Sequence, residues 1–340
     1  MQITKRHWGT IGHRDIDLFE LDNGAGIRAR ISSYGGVIQS LIVPDRQGNP
    51  TDVVLGYDTL PEYLRGEQFF GACIGPIADR MAGGKCTLNG REIQLARNSG
   101  PDCMHSGANG FHALIWDAEI TEDGISLRRD IPEFDLNMEI RFRLHKTGLR
   151  LEYAAQSDRE SAISPTNHSY FNLGGAKTDV YGDLICVYAD RYAETERAVD
   201  PIVTGRAIDV TGTPMDLRCE TAIGGVLAHT EYREIETGGG VDHFFLVNGE
   251  GMRPMADVYC PATGIAMRCT SDMPGVLVYT GNGLACEPGK GGTIYRKNWA
   301  VCLETECFPN AVNLPAHRAD VLLTPGERFT SATEYTFSIR

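Results

Sequence analysis

Residues 136–155, LNMEIRFRLHKTGLRLEYAA, decide the fold class of this chain. Apolar side chains occupy every second position on both sides of the turn sequence Lys146-Thr147-Gly148. This period of two puts the apolar residues on one face of a strand, whereas a helix requires a period of about 3.6 residues. The stretch therefore predicts two antiparallel strands of a half-buried sheet.

Similar patterns recur along the chain. Asp123-Gly124 and Asn23-Gly24 predict hairpin turns, and Leu60 to Leu64 predicts one helical turn. The sequence also predicts two strands within Leu18 to Pro44, one strand from Thr51 to Tyr57 and one from Thr333 to Ile339. The 39 glycines supply turns, and no low-complexity linker divides the 340 residues. We expect an all-β protein, a large antiparallel β-sandwich, with residues 1–340 as a single domain.

Composition excludes several classes of partner. The 45 acidic against 32 basic residues give a formal net charge of -13, which repels nucleic acid phosphates and anionic membranes. No stretch approaches the roughly 20 apolar residues of a membrane span, and the first residues lack the apolar core of a signal peptide. The ten cysteines form no CxxC pair. We therefore expect a cytoplasmic protein with no structural metal site.

Residues 167–175, NHSYFNLGG, interleave polar donors with aromatic rings. His168 can exchange a proton near neutral pH. If the segment is extended, alternation places His168 and Tyr170 on one face and Asn167, Ser169 and Phe171 on the other. Taken alone, a buried structural histidine explains His168 better than a catalytic one.

Four other stretches place polar side chains beside turns. They contribute Arg80 within residues 74–85, His105 and His112 within residues 105–112, Asp242 after the glycines 238–240, and Glu304 after the apolar run 299–303. Each alone suits a surface charge or a turn. Together they suit a sugar, because its hydroxyls need many hydrogen-bond partners and its ring face packs on aromatic surfaces such as Tyr170, Phe308 or Trp116.

The same residues carry a resemblance to a known family. The chain resembles the aldose 1-epimerases, also called galactose mutarotases, over almost its whole length. The shared motifs, in order, are ADRMAGGK (78–85), HSGANGF (105–111), NHSYFNLGG (167–175), VDHFF (241–245), PGVLVYTGN (274–282) and LETE (303–306). The resemblance implies a β-super-sandwich that interconverts the α and β anomers of a free aldose, a small monosaccharide, and needs no cofactor or metal.

The resemblance also implies roles for single residues. Glu304, by its place in LETE, matches the general base that takes the proton of the anomeric hydroxyl. His168 matches the general acid that protonates the ring oxygen, so that the hemiacetal opens to the aldehyde and recloses. The residues expected to contact the sugar are Asp79, Arg80, His105, Ser169, Tyr170, Asp242 and Leu277.

Four positions depart from the family pattern. Asp79 stands where Asn is usual, Pro76 where an Arg is common, and Ser106 where a Gly is found. Leu277 stands where a Gln often contacts the sugar, and losing that amide removes a donor and an acceptor. We expect the best substrate to lack the hydroxyl that meets Leu277, or to turn it away. A pentose, a deoxy-sugar or a differently configured hexose is as credible as galactose.

Other functions are compatible with the same residues. A glycosidase could use Asp242 and Glu304 as paired carboxylates flanking a glycosidic bond. A non-catalytic carbohydrate-binding or sensor protein would bind sugar without exchanging anomers. A sugar-phosphate epimerase would need several Arg or Lys around the phosphate, and Pro76 in place of an Arg argues against it.

Overall fold

The largest sheet contains nine antiparallel strands. A computed structural model describes residues 1–196 and 201–340. In spatial order the nine strands are Asp117–Ile120, Gly124–Ile131, Leu136–His145, Gly148–Gln156, Arg328–Ile339, Ile265–Ser271, Arg253–Tyr259, Leu184–Val187 and Thr221–Ala222. Leu144 pairs with Leu149 across the turn, which confirms the two strands predicted from residues 136–155. The hairpin at Asp123-Gly124 and the final strand are also confirmed.

A second sheet follows the chain order of its five strands. They are Gln2–Ile11, Arg14–Asp22, Arg28–Ser32, Ile38–Pro44 and Pro50–Asp52. Between Leu18 and Pro44 there are thus three strands and not the two predicted. The chain turns at Gly35 and Gly36, whose φ angles of +66° and +57° lie in the left-handed region that glycine adopts without strain.

The prediction of a strand from Thr51 to Tyr57 was wrong beyond Asp52. The Asp52 carboxylate accepts a hydrogen bond from the Leu41 backbone at 3.0 Å and so interrupts the ladder. Leu55 N then donates to Tyr170 O at 2.9 Å. The chain leaves its sheet here because its hydrogen-bond partner changes to the segment that follows His168.

The third sheet has six strands and carries most of the predicted motifs. In spatial order they are Tyr170–Phe171, Val301–Glu306, Gly275–Tyr279, Asp242–Val247, Ala189–Thr195 and Val203–Asp209. Shorter pairs are Cys103–Met104 with Arg80–Met81, Thr166–Asn167 with Cys73–Ile74, Ser161–Ala162 with Leu322–Leu323, Glu287–Pro288 with Ile294–Tyr295, and Lys85–Leu88 with Arg91–Gln94. The α-helices are short: Leu60–Arg65, as predicted, then Ile223–Leu227 and Arg233–Gly238. No helix of the described residues is long and apolar enough to cross a membrane.

The six-stranded and nine-stranded sheets pack face to face. Along Val301–Glu306 the side chains alternate, and the odd-numbered ones face the nine-stranded sheet. Tyr335 Oη donates to Leu303 O at 3.3 Å, and the hydroxyls of Thr305 and Thr333 lie 2.5 Å apart. The even-numbered side chains, among them Glu304, therefore face the opposite side of the six-stranded sheet.

The six-stranded sheet leaves no room for a side chain at Gly275. A Cβ at this position would lie 2.3 Å from Phe245 O and 2.3 Å from Phe244 Cζ. We expect Gly275→Ala to lower the free energy of unfolding by about 1–3 kcal/mol, because the backbone oxygen cannot move aside. Urea titration measures the change, with Gly182→Ala as the control, since a Cβ there meets nothing within 4 Å. Equal midpoints for the two variants would contradict the prediction.

Candidate active site

A cleft of about 180 Å³ lies on the free face of the six-stranded sheet. Its floor is set by strand register, which places Glu304 opposite Leu277 and Asp242 opposite Tyr279. Tyr279 in turn pairs with Cys302, and Cys302 pairs with Tyr170. The facing wall, called the loop wall below, is built from loops and from the short strand pair Arg80–Met81 with Cys103–Met104. It contributes Glu67, Gln68, Phe69, Asp79, Arg80, Met104 and His105, and His168 completes the lining. The sequence-predicted residues thus meet in one cleft, except Ser169.

His168 and Glu304 face each other within the cleft. His168 Nε2 lies 3.6 Å from Glu304 Oε1, and the two side chains are only 6% and 3% exposed. Burial lowers the pKa of His168 to about 3 and raises the pKa of Glu304 well above its ordinary value. Neighbouring Asp79 and Asp242 raise the pKa of Glu304 further, and Arg80 opposes them. Both shifts favour the uncharged form of each group.

Aromatic rings fix the orientation of His168. Its ring stacks on Tyr170 at 4.9 Å with an interplanar angle of 12°, which confirms that the two side chains share a face. Phe69 also stacks on the imidazole, with a centroid distance of 6.0 Å. The backbone is pinned by hydrogen bonds of 2.9 Å from His168 N to Ala72 O and from Gly71 N to His168 O. Because no group in residues 1–196 and 201–340 hydrogen-bonds to His168 Nδ1, these ring contacts and backbone bonds hold the imidazole in place.

His105 enters the cleft as a neutral hydrogen-bond donor. The Asp79 backbone N–H donates to His105 Nδ1 at 3.2 Å, and His105 N donates back to Asp79 O at 3.0 Å. The pKa of His105 is lowered well below its ordinary value by burial and then by His168. In the neutral ring the proton must then reside on Nε2.

This tautomer bears on metal binding. Ligand atoms of His105, His168 and Glu304 lie within 4.8 Å of one another. A metal ion requires a free lone pair on each imidazole. Because His105 accepts a hydrogen bond at Nδ1 and carries its proton on Nε2, it does not offer one. The trio suits hydrogen bonding to a hydroxylated ligand better than it suits a metal ion.

Arg80 and two aspartates form the charged end of the cleft. Arg80 Nη1 lies 3.2 Å from Asp79 Oδ1, and Arg80 Nε donates to Ser99 Oγ at 3.2 Å. Burial raises the pKa of Asp242 to about 6, with Arg80 lowering it and Asp79 raising it. Burial likewise raises the pKa of Asp79, against the opposing effect of Arg80. Hydroxyl groups can pair with all three side chains.

Three sequence-based suggestions about lining residues were wrong. Ser169 is fully buried and its hydroxyl donates to Asn167 Oδ1 at 2.6 Å, so it does not line the cleft. Trp116 packs on Phe111 in the core, with ring centroids 5.2 Å apart. Phe308 packs between Phe244 and His317. Tyr170 alone of the three suggested aromatic surfaces reaches the cleft.

The departures at Pro76 and Ser106 shape the loop wall from behind. Ser106 Oγ accepts a hydrogen bond from Ile77 N and donates one to Ile77 O, both at 2.9 Å. Pro76 O accepts from Ser164 N at 2.7 Å. Neither residue lines the cleft, so both act by joining the loop that carries Arg80 to the loop that carries His105 and to residue 164.

Sequence reasoning missed several lining residues. Tyr279 lies two positions after Leu277, so strand alternation would have placed it on the same face. Gln68 and Phe69 lie in a loop whose sequence gives no comparable signal. A larger neighbouring cavity of about 470 Å³ shares Glu67, Phe69 and Met104 with the cleft, but neither Glu304 nor His168 lines it.

Comparison with known proteins identifies the family. The model of the aldose 1-epimerase family matches residues 17–336. The chain belongs to the aldose 1-epimerase family. It is 34% identical over 350 residues to the galactose mutarotase of Bos taurus, covering 100% of this chain and 99% of that protein. It is 28% identical over 332 residues to the aldose 1-epimerase of Escherichia coli strain K12, covering 94% of each.

Solved structures confirm the fold of this aldose 1-epimerase family member. An aldose epimerase homologue from C. elegans superposes with a TM-score of 0.86 at 25% identity, covering 95% of this chain and 98% of the other. The galactose 1-epimerase of Lactobacillus acidophilus gives a TM-score of 0.84 at 22% identity, covering 99% of both. The antiparallel β-sandwich predicted from residues 136–155 is therefore correct.

Glu306 is a second buried acid on the strand of Glu304. It is 1% exposed, and neither carboxyl oxygen has a hydrogen-bond partner among the described residues. Burial raises the pKa of Glu306 well above 4.5, and the negative charges of Asp79, Glu304 and Asp242 raise it further. A carboxyl with a raised pKa in the folded state stabilises the fold below its unfolded pKa, and this contribution is lost as pH rises through the folded pKa.

We expect Glu306→Gln to flatten the dependence of stability on pH. The amide stays neutral, so the free energy of unfolding should fall less than in the parent between about pH 4.5 and pH 8. Urea midpoints at both pH values measure this, and groups common to both proteins cancel. Exposed Glu122→Gln is the control and should follow the parent. A Glu306→Gln curve parallel to the parent would show that Glu306 titrates as an ordinary carboxyl.

Proposed function

We propose that the cleft opens and recloses the ring of a free aldose, with Glu304 as the general base and His168 as the general acid. The observation that carries these roles is the facing pair itself, 3.6 Å apart and buried on a cleft of monosaccharide size. Glu304 takes the proton of the anomeric hydroxyl while His168 gives a proton to the ring oxygen. Rotation about the C1–C2 bond and reclosure yield the other anomer.

The proton count of the pair supports this division of labour. A Glu304 carboxylate with a protonated His168 holds one proton, and so does a protonated Glu304 with a neutral His168. Ring opening converts the first arrangement into the second, because one proton arrives at Glu304 as another leaves His168. Burial favours the second arrangement. The cleft thereby stabilises the protonation state of the ring-opened complex.

The remaining lining residues position the sugar. His105 donates through Nε2, and Arg80, Asp79 and Asp242 bind hydroxyls at the other end of the cleft. Tyr170 offers a ring face beside the catalytic pair. Leu277 offers no polar atom, so a hydroxyl that faces it loses water without compensation. This supports a substrate other than galactose or glucose as the best one.

The competing functions have less support. Curated relatives over the whole chain are galactose mutarotases and aldose 1-epimerases, which are isomerases. A sugar sensor needs no buried acid and base facing each other at 3.6 Å. Hydrolysis of aryl glycosides would be the signature of a glycosidase that uses Asp242 and Glu304.

We also propose that the protein is cytoplasmic, forms a single domain and does not bind nucleic acid. All ten cysteines are free, and eight are buried, which suits the reducing conditions of the cytoplasm. One sheet contains strands from Asp117–Ile120 to Arg328–Ile339, which favours a single domain over two. The surplus of acidic residues argues against nucleic acid as a partner.

We expect Glu304→Gln to lose about 10²- to 10⁴-fold in kcat, because the amide keeps the shape but cannot accept the proton. His168→Asn should be impaired to a similar degree. Polarimetry on freshly dissolved sugars, corrected for the spontaneous rate, measures both variants. Sugar affinity should change little in Glu304→Gln, and the variant should remain folded. A kcat close to that of the parent would show that Glu304 is not the general base, and Asp242 would be the next candidate.

The pH profile should reflect the shifted pair and not an ordinary histidine. Because the pKa of His168 is lowered to about 3, the acidic loss of kcat/KM due to the pair should lie well below pH 6.5. A separate inflection near pH 6 should belong to Asp242. Asp242→Asn should remove that inflection and leave the lower one. If kcat/KM of Asp242→Asn still falls on the acidic side near pH 6.5, the lowered pKa of His168 in the proposed pair is contradicted.

A further inference from the structure

The loop wall carries an amide that the proposed mechanism does not use. Gln68 lines the cleft between Glu67 and Phe69, and its side chain is half-buried. Among the residues that the structure describes, no protein group hydrogen-bonds to its amide. An amide both donates and accepts, and it does not titrate. It therefore suits a sugar hydroxyl at any pH at which the enzyme works.

Phe69 fixes Gln68 relative to the catalytic pair. Phe69 has a φ of +56°, which is strained for a bulky residue, so the surrounding packing must hold it. Its ring stacks on His168 and contacts His105 edge-on at 4.9 Å and His112 edge-on at 4.8 Å. Its carbonyl accepts a hydrogen bond from Ala72 N at 3.0 Å. Gln68 is thus one residue from an anchor on the general acid.

The two sides of the cleft differ in polarity. Leu277 stands on the sheet floor, next to Glu304 across the strand pair, and is 7% exposed. Gln68 stands on the loop wall. Arg80, by contrast, is engaged with Asp79 and Ser99. Gln68 and Leu277 are therefore two uncharged side chains on different sides of the cleft, of which one can hydrogen-bond to a hydroxyl and the other cannot.

We propose that Gln68 is a specificity-determining residue that binds a ring hydroxyl from the loop wall, while Leu277 rejects a hydroxyl on the floor. The preferred substrates are aldoses with a hydroxyl towards the loop wall and a hydrogen or no substituent towards the floor. This inference rests on the proposed function, since it concerns the sugar that Glu304 and His168 turn over. A residue of this kind changes the ranking of epimers and leaves the chemistry in place.

The test is a panel of free pentoses, hexoses and deoxy-hexoses that differ at single stereocentres. Gln68→Leu should lower kcat/KM by about 5- to 150-fold for the sugars the parent prefers, because the buried hydroxyl loses its partner. For poorly used epimers it should change kcat/KM by about twofold or less. Leu277→Gln should act in the opposite direction and raise kcat/KM for sugars that carry the floor hydroxyl.

Controls separate the inference from the proposed function. Gln47→Leu makes the same substitution on an exposed turn and should match the parent for every sugar. Unfolding midpoints must agree between the parent and Gln68→Leu, and Gln68→Glu should recover part of the loss because a carboxylate still accepts. If the parent exchanges the anomers of no sugar, the proposed function fails. If the parent is active but Gln68→Leu leaves the ranking of sugars unchanged, the inference fails.

Discussion

The alternation of side chains along Val301–Glu306 is the constraint on which the structure depends. The odd positions pack against the nine-stranded sheet, where Tyr335 and Thr333 hydrogen-bond to this strand. The even positions face the other side of the sheet, where Glu304 lines the cleft. Because the period is two, a shift of one residue in register would bury Glu304 in the core and expose Leu303 to the sugar. The same packing that stabilises the sandwich therefore places the Glu304 carboxyl, the proposed general base, in the cleft.

Strand patterns made the fold and the floor of the cleft predictable. Residues 136–155 indicated antiparallel strands without any knowledge of the sheet to which they belong. The resemblance then located Glu304, Asp242 and His168 in motifs, and these side chains do meet. The aromatic suggestions at Trp116 and Phe308 failed because a large ring near a turn is more often core than cleft.

The loop wall could not be predicted, because its geometry depends on non-local contacts. Phe69, Asp79, His105 and Ser106 all have φ angles between +52° and +62°. Such a conformation costs of order 1–3 kcal/mol for a non-glycine residue and persists only when its surroundings fix it. Hydrogen bonds between Asp79 and His105 and between Ser106 and Ile77 fix three of these residues. The fourth, Phe69, is held by ring contacts with His105, His112 and His168. Local sequence carries no sign of these pairings between loops, so Gln68 and Phe69 escaped notice.

Charge balance explains why this cleft suits a neutral sugar. Burial raises the pKa of Asp79, Asp242, Glu304 and Glu306, and Arg80 is the cation that opposes the rise at the first three. These pKa values are raised because the cleft disfavours added negative charge, and a phosphate about 4 Å from one of these groups in its ionised form would be repelled by about 4 kcal/mol per unit charge at an effective dielectric of 20. One guanidinium that already pairs with Asp79 offers too little compensation. A neutral aldose meets no such repulsion, and its hydroxyls can donate to the carboxylates that an anion would have to avoid.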